Sequence, residues 1–213
     1  MSPEPTSETA VDTRANSRPR WSTWGGGGLL AGGLALLVAT ILEYFVWQTT
    51  TLGTGVFVAF SILFLANIVL YLVAMPALAF AGGGIAGRSA IGRAGLVLFG
   101  VGWAVSQIVY WSGYFLDAFP TALDVTQTIA LVVTYVGAIA AAVIIALGRV
   151  VRGLPRWSLL VGLAIAAICA GIANAVSDQV LTTVLLSISC AAQALVGLSY
   201  LGARPQGSGR VAE

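Results

Sequence analysis

Residues 55–80 read GVFVAFSILFLANIVLYLVAMPALAF, a run without one charged side chain. As an α-helix rising about 1.5 Å per residue it would be about 39 Å long, more than the ~30 Å of hydrocarbon in a bilayer. The stretch therefore predicts a membrane span. Five further stretches of spanning length flank it: about 26–47 before it, and 94–116, 124–148, 157–177 and 179–202 after it. The expected fold class is an all-α integral membrane protein, a bundle of six transmembrane helices. Of the 213 residues, 58% are hydrophobic and only 8% charged, where a soluble domain carries about a quarter charged residues. The spans leave no room for a soluble domain. Residues 1–23, polar and rich in Pro, Ser, Thr and acids, are expected to form a disordered cytoplasmic tail, 24–203 the membrane domain, and 204–213 a second disordered tail. The opening residues have no apolar stretch of their own, so no cleavable signal peptide is expected.

Charge placement sets the expected topology. All ten basic residues are Arg. Arg14, Arg18 and Arg20 precede the first span, and Arg88 and Arg93 lie between the second and third. Arg149, Arg152 and Arg156 lie between the fourth and fifth, and Arg204 and Arg210 follow the sixth. Every Arg thus falls on one side, which the positive-inside rule assigns to the cytoplasm, with both termini. Five or seven spans would scatter the charges over both faces. Trp21, Trp24, Trp157 and Tyr200 are expected to mark the inner interface, and Tyr44, Trp47, Tyr110, Trp111 and Tyr114 the outer one.

Composition narrows the chemistry. With no His, imidazole ligands and Ser–His pairs are excluded; with no Lys, so is a Schiff base, including a retinal one. Gly82-Gly83-Gly84-Ile85-Ala86-Gly87-Arg88-Ser89 has phosphate-loop spacing, except that Arg replaces Lys. That loop works between a strand and a helix, whereas this one follows a membrane helix, so a flexible hinge whose arginines touch anionic lipid is expected instead. Cys169 and Cys190 form no CxxC pair and read as small buried residues. Four-residue spacing of small residues, Gly28 and Gly32 in the first span and Gly162, Ala166 and Ala170 in the fifth, with Ala167 and Gly171 on a nearby face, predicts close helix contacts. The short turn between the last two spans predicts a tight antiparallel hairpin. The first and third spans both end in aromatic clusters near the outer face, but nothing comparable links the second and fourth, so a transporter-type repeat lacks support.

The acids separate into two kinds. Thr121-x-x-Asp124 has capping-box spacing, and Ser177-Asp178 stands at the start of the last span, where an acid suits the exposed N–H groups. Glu43 and Asp117 stand near outer helix C-termini, where the dipole disfavours negative charge, and no basic residue lies on that side. Either each simply reaches water, or they face an outward-open cavity, bind a cation or exchange a proton. Trp103, Gln107, Tyr110, Tyr114 and Asp117 follow spacings of 4, 3, 4 and 3 and so share one helix face. Asn67 and Tyr71 make a shorter polar stripe, Asp124, Thr128 and Tyr135 another, and Gln193 stands alone. Such stripes supply interhelical hydrogen bonds or line a ligand pocket. The candidate pocket or proton/cation site is Glu43, Gln107, Tyr110, Tyr114 and Asp117. No catalytic residue, cofactor or metal site is identified; a carboxylate-only metal site would need several converging oxygens.

These features favour a non-catalytic accessory or scaffold subunit acting through helix–helix contacts. The alternative is a small transporter or permease-like protein with an acidic, aromatic pocket for a cation or lipophilic solute. Its expected partners are the lipid bilayer and another membrane protein or a second copy of itself. Nucleic acid is not among them, because the arginines form no basic domain. An intramembrane enzyme would need Glu43 and Asp117 as an acid dyad, with no motif around either. Exclusive use of Arg, with abundant Ala, Gly and Val, fits a GC-rich genome and so a bacterial cytoplasmic membrane.

Overall fold

The computed structural model describes residues 19–49, 53–148, 150–151 and 153–203. Six helices are long and apolar enough to cross a membrane, which makes the chain a polytopic membrane protein by length and composition. They are α1 (Gly27–Thr49), α2 (Gly55–Phe80), α3 (Ala90–Ser112), α4 (Thr121–Leu147), α5 (Pro155–Ala175) and α6 (Gln179–Leu201). The N-terminal arginines Arg14 and Arg18, the arginines at 149, 152, 204 and 210, and most of both expected tails lie outside the described residues.

Local chemistry starts the helices. The side chains of Thr54, Ser89 and Asp178 accept from backbone N–H groups of Phe57, Gly92 and Leu181, at 3.3, 3.1 and 2.7 Å, each occupying a donor that has no partner within its helix. Pro155 opens α5, where its missing N–H costs nothing. The capping box expected at Thr121 does not form. Pro120 occupies the cap position and Thr121 is already helical, so its hydroxyl cannot reach back; Asp124 lies in the first turn, where it complements the helix dipole.

Consecutive helices pack side by side, and α6 returns to α1, so the bundle closes as a ring. Several of its closest approaches are backbone to backbone. A Cβ at Gly33 of α1 would stand 2.7 Å from the Ala194 nitrogen of α6, and one at Gly95 of α3 would stand 2.7 Å from the Gly137 carbonyl oxygen of α4. Only glycine permits helices this close. Gly28 and Gly32 meet Ala74 and Tyr71 of α2, and Gly162 meets Val196 of α6. Ala167 and Gly171 of α5 face away from the rest of the chain.

One core cluster gathers Trp21, Leu78, Ile85, Val151 and Tyr200 at the end where both described chain termini lie. The described arginines Arg20, Arg88, Arg93 and Arg156 surround it, and the described acids Glu43, Asp117, Asp124 and Asp178 stand at the opposite end. Trp21 and Tyr200 are not interface residues, being 2% and 0% exposed. A π-helical turn, Trp21–Gly26, starts the first span earlier than expected and folds over the end of α6. There Ser22 Oγ donates toward the carbonyls of Tyr200 and Leu201, at 2.9 and 3.0 Å. Trp24, Trp47 and Trp157 are exposed, as interface residues should be.

The glycine-rich loop is no loose hinge. Ile85 and Ala86 are buried, and the amides of Gly84, Ile85, Gly87 and Ser89 all bond to backbone carbonyls nearby. Gly82, Gly83, Gly84 and Gly87 adopt positive φ to make this possible. Amides already spent inside the loop cannot wrap a phosphate. Arg93 folds back onto it, donating to the Gly83 carbonyl at 3.3 Å and resting over the Phe80 ring.

Candidate functional site: a carboxylate held by two tyrosines

At the acidic end, Glu43 projects from the last turns of α1 toward α3. Tyr110, near the end of α3, and Tyr114, in the 3₁₀ turn Gly113–Phe115 that follows it, both donate their hydroxyls to the same carboxylate oxygen, Oε1. Hydrogen bonds to a carboxylate are among the stronger kinds. Their direction is fixed by ring packing. The Tyr114 ring lies 5.4 Å from Phe60, 5.8 Å from Phe57 and 5.9 Å from Trp47, centroid to centroid, and Tyr110 lies 6.1 Å from Phe64. Phe57, Phe60 and Phe64 belong to the second core cluster, with Leu36, Ile68, Ala104 and Cys190, and both tyrosines pack against it. A rigid aromatic wall thus delivers two O–H groups to one oxygen, while the other oxygen has no hydrogen-bond partner among the described residues.

Glu43 lines a cavity of about 320 Å³ between α1 and α6. Thr40, Tyr44 and Trp47 of α1 line one side, Tyr110 of α3 contributes, and Ser177 before α6 with Gln179, Thr182, Thr183 and Leu186 of α6 line the other. The lining is aromatic on one side and hydroxyl-rich on the other. No basic side chain lines it. Such a site suits a positively charged group, through the carboxylate and the faces of the surrounding rings.

The five residues expected to form the pocket divide. Glu43, Tyr110 and Tyr114 come together. Gln107 lies on the same face of α3 one turn deeper, half-buried, away from the cavity and without a hydrogen bond among the described residues. Asp117 does not join Glu43. After Ser112 the chain tightens into a 3₁₀ turn, Gly113–Phe115, and becomes extended at Leu116, which leaves Asp117 exposed beyond the helix. Helical spacing cannot be continued through that change of winding. The α6 wall was not foreseen. Thr182 and Thr183 were visible as polar residues, but nothing in their spacing says which helix they face.

Toward the middle of the bundle the polar stripes act as ties. Asn67, fully buried, donates to the Gly32 carbonyl at 2.9 Å and accepts from Trp103 Nε1 at 3.2 Å, linking α1, α2 and α3. Tyr71 donates to Gln193, so Gln193 is not the isolated residue expected. Tyr71 also stacks on Trp103 at 5.7 Å. Trp111 Nε1 donates to Ser61 at 3.2 Å. The α4 stripe does not converge. Thr128 bonds back to its own helix at Asp124 O, and Tyr135 points to the periphery. Cys169 and Cys190 are buried and unpaired with each other, and Cys190 Sγ lies 3.7 Å from Thr40 Oγ1. No group of three carboxylate or thiol side chains converges among the described residues.

No protein-family model, curated protein sequence or solved structure matches this chain.

Proposed function

We propose that this protein is a small transporter or permease-like membrane protein whose acidic, aromatic pocket takes an organic cation. One observation carries the reading: a single carboxylate, held on one oxygen by two tyrosines, has no partner for its other oxygen among the described residues and lines a 320 Å³ cavity. A carboxylate that served only as helix-to-helix glue would not need an open cavity beside it. The described arginines all stand at the far end of the bundle. With that end in the cytoplasm, as positive-inside placement requires, the pocket opens outward and both termini lie inside. The protein then does no covalent chemistry; it holds and releases a solute.

Purified protein reconstituted in liposomes should take up radiolabelled tetraethylammonium, a probe matched to aromatic and carboxylate contacts. Glu43→Gln should cut uptake at least tenfold. Asp117→Asn should leave it nearly unchanged, since Asp117 lies outside the cavity. Unchanged uptake in Glu43→Gln overturns the proposal.

The accessory-subunit reading has its own support. The outward face of α5 carries Ala164, Ala167 and Gly171, with nothing within 4 Å of the place a Gly171 Cβ would occupy, a surface on which another helix could lie closely. Purification from native membrane in mild detergent, followed by intact-complex mass, tests it. A stoichiometric partner supports the subunit reading, and a lone monomer counts against it.

A further inference from the structure

Gln193 stands midway along α6, far from either aqueous end. Its Oε1 accepts the Tyr71 hydroxyl, and its Nε2 has no hydrogen-bond partner among the described residues. An amide N–H₂ without an acceptor is costly in hydrocarbon surroundings. Beside it lies a cavity of about 50 Å³, separate from the Glu43 pocket, to which all six helices contribute. An apolar cavity that takes benzene measures about 150 Å³, so this much smaller one suits a slim group of a few atoms better than a ring.

The lining defines what would fit. It is apolar except for Gln193, Tyr71, Thr134 and Tyr135. Thr134 is occupied by its own helix, donating to the Ala130 carbonyl at 2.7 Å. No charged side chain is present, so the site presents an amide donor to a neutral guest. The way in is lateral. Among neighbouring helix pairs α4 and α5 pack least closely, and the lining reaches their partly exposed edges at Tyr135, Leu163 and Ala166. That seam faces the bilayer interior.

We infer that this cavity is a bilayer-facing binding site for a neutral, linear acyl compound. Its carbonyl oxygen accepts from Gln193 Nε2, and its chain lies along the seam between α4 and α5. The site is independent of the Glu43 pocket and of the transport reading.

The test uses 2-dodecanone carrying ¹³C at its carbonyl, added to the full chain in lipid nanodiscs and followed by infrared spectroscopy. A hydrogen bond in the site should produce a carbonyl band, displaced to lower frequency, that saturates at about one ketone per chain. Gln193→Leu removes the donor and should abolish this band. Ala166→Phe narrows the seam from its half-buried edge and should reduce the band at least fivefold. Glu43→Gln should leave it intact. Absence of a saturable band in the natural protein, as when only water fills the cavity, overturns the proposal. So does a band that persists in both Gln193→Leu and Ala166→Phe.

Discussion

A carboxylate near the end of a membrane helix ordinarily finds water, and Asp117 does so. Glu43 instead receives two phenolic hydroxyls on one oxygen, which spares it from lying unsolvated against α3 and fixes where its charge sits. The two tyrosines should therefore act as positioning residues. Tyr110→Phe or Tyr114→Phe should each weaken tetraethylammonium binding about threefold, and the double variant should approach Glu43→Gln, a loss of at least about 1.4 kcal/mol by the tenfold rule. Equilibrium binding to purified protein reads this, and full affinity in the double variant would show that the hydroxyls are ornamental. Asn67 is the second residue with a defined task. Replacing it by Leu leaves Trp103 Nε1 without its acceptor and removes a tie to Gly32, at a cost of about 1–2 kcal/mol. Thermal unfolding in mild detergent should register this as a lower midpoint, with the pocket still able to bind. At this scale the sequence was half informative. The spacing of Tyr110 and Tyr114 was legible, whereas their partner on α1 depends on how two helices are rotated against each other.

At the scale of the element, helix contacts rest on missing side chains. A Cβ at Gly197 would collide with the backbone of Leu29 and Leu30 in α1. Gly197→Ala should therefore push α1 from α6 and destabilise the bundle by about 1–3 kcal/mol, as overpacking does. Gly171→Ala on α5 meets open space and should be neutral or stabilising by up to about 1 kcal/mol, from helix propensity. The pair, compared by thermal unfolding under one set of conditions, separates close packing from a general intolerance of substitution. Equal effects would refute the packing argument. Small-residue spacing marked Gly171 in the sequence but not Gly197, and it could not tell a contact within the chain from a face left open to the bilayer. The expected flexible hinge at residues 82–89 failed for a related reason. Its composition is that of a loose loop, but Ile85 is anchored under Trp21 and α2, and the glycines supply the positive φ angles that the anchoring requires.

For the whole molecule, charge polarity is the property to test. In a chain with both native cysteines replaced by Ala, a cysteine at exposed position 117 should react with a membrane-impermeant maleimide on intact cells. One at exposed position 202 should react only after permeabilisation. The reverse pattern would turn the Glu43 cavity toward the cytoplasm and recast the proposed transport direction. Both positions lie outside the helices, so labelling reports sidedness and not packing.

The sequence by itself determined how many helices span, roughly where each begins and ends, and that their arginines gather at one end. Hydrocarbon enforces these along one dimension, through length and the cost of charge, and local sequence carries both. Only the tertiary structure decided the rest: that Trp21 and Tyr200 are core residues, that Gln193 meets Tyr71, that Glu43 meets two tyrosines while Asp117 meets none. In a membrane bundle the lipid-facing and the buried sides of a helix are both apolar, so hydrophobicity does not encode its rotation. Rotation is set by which small residues let backbones approach and which polar groups find partners there, and those are properties of helix pairs.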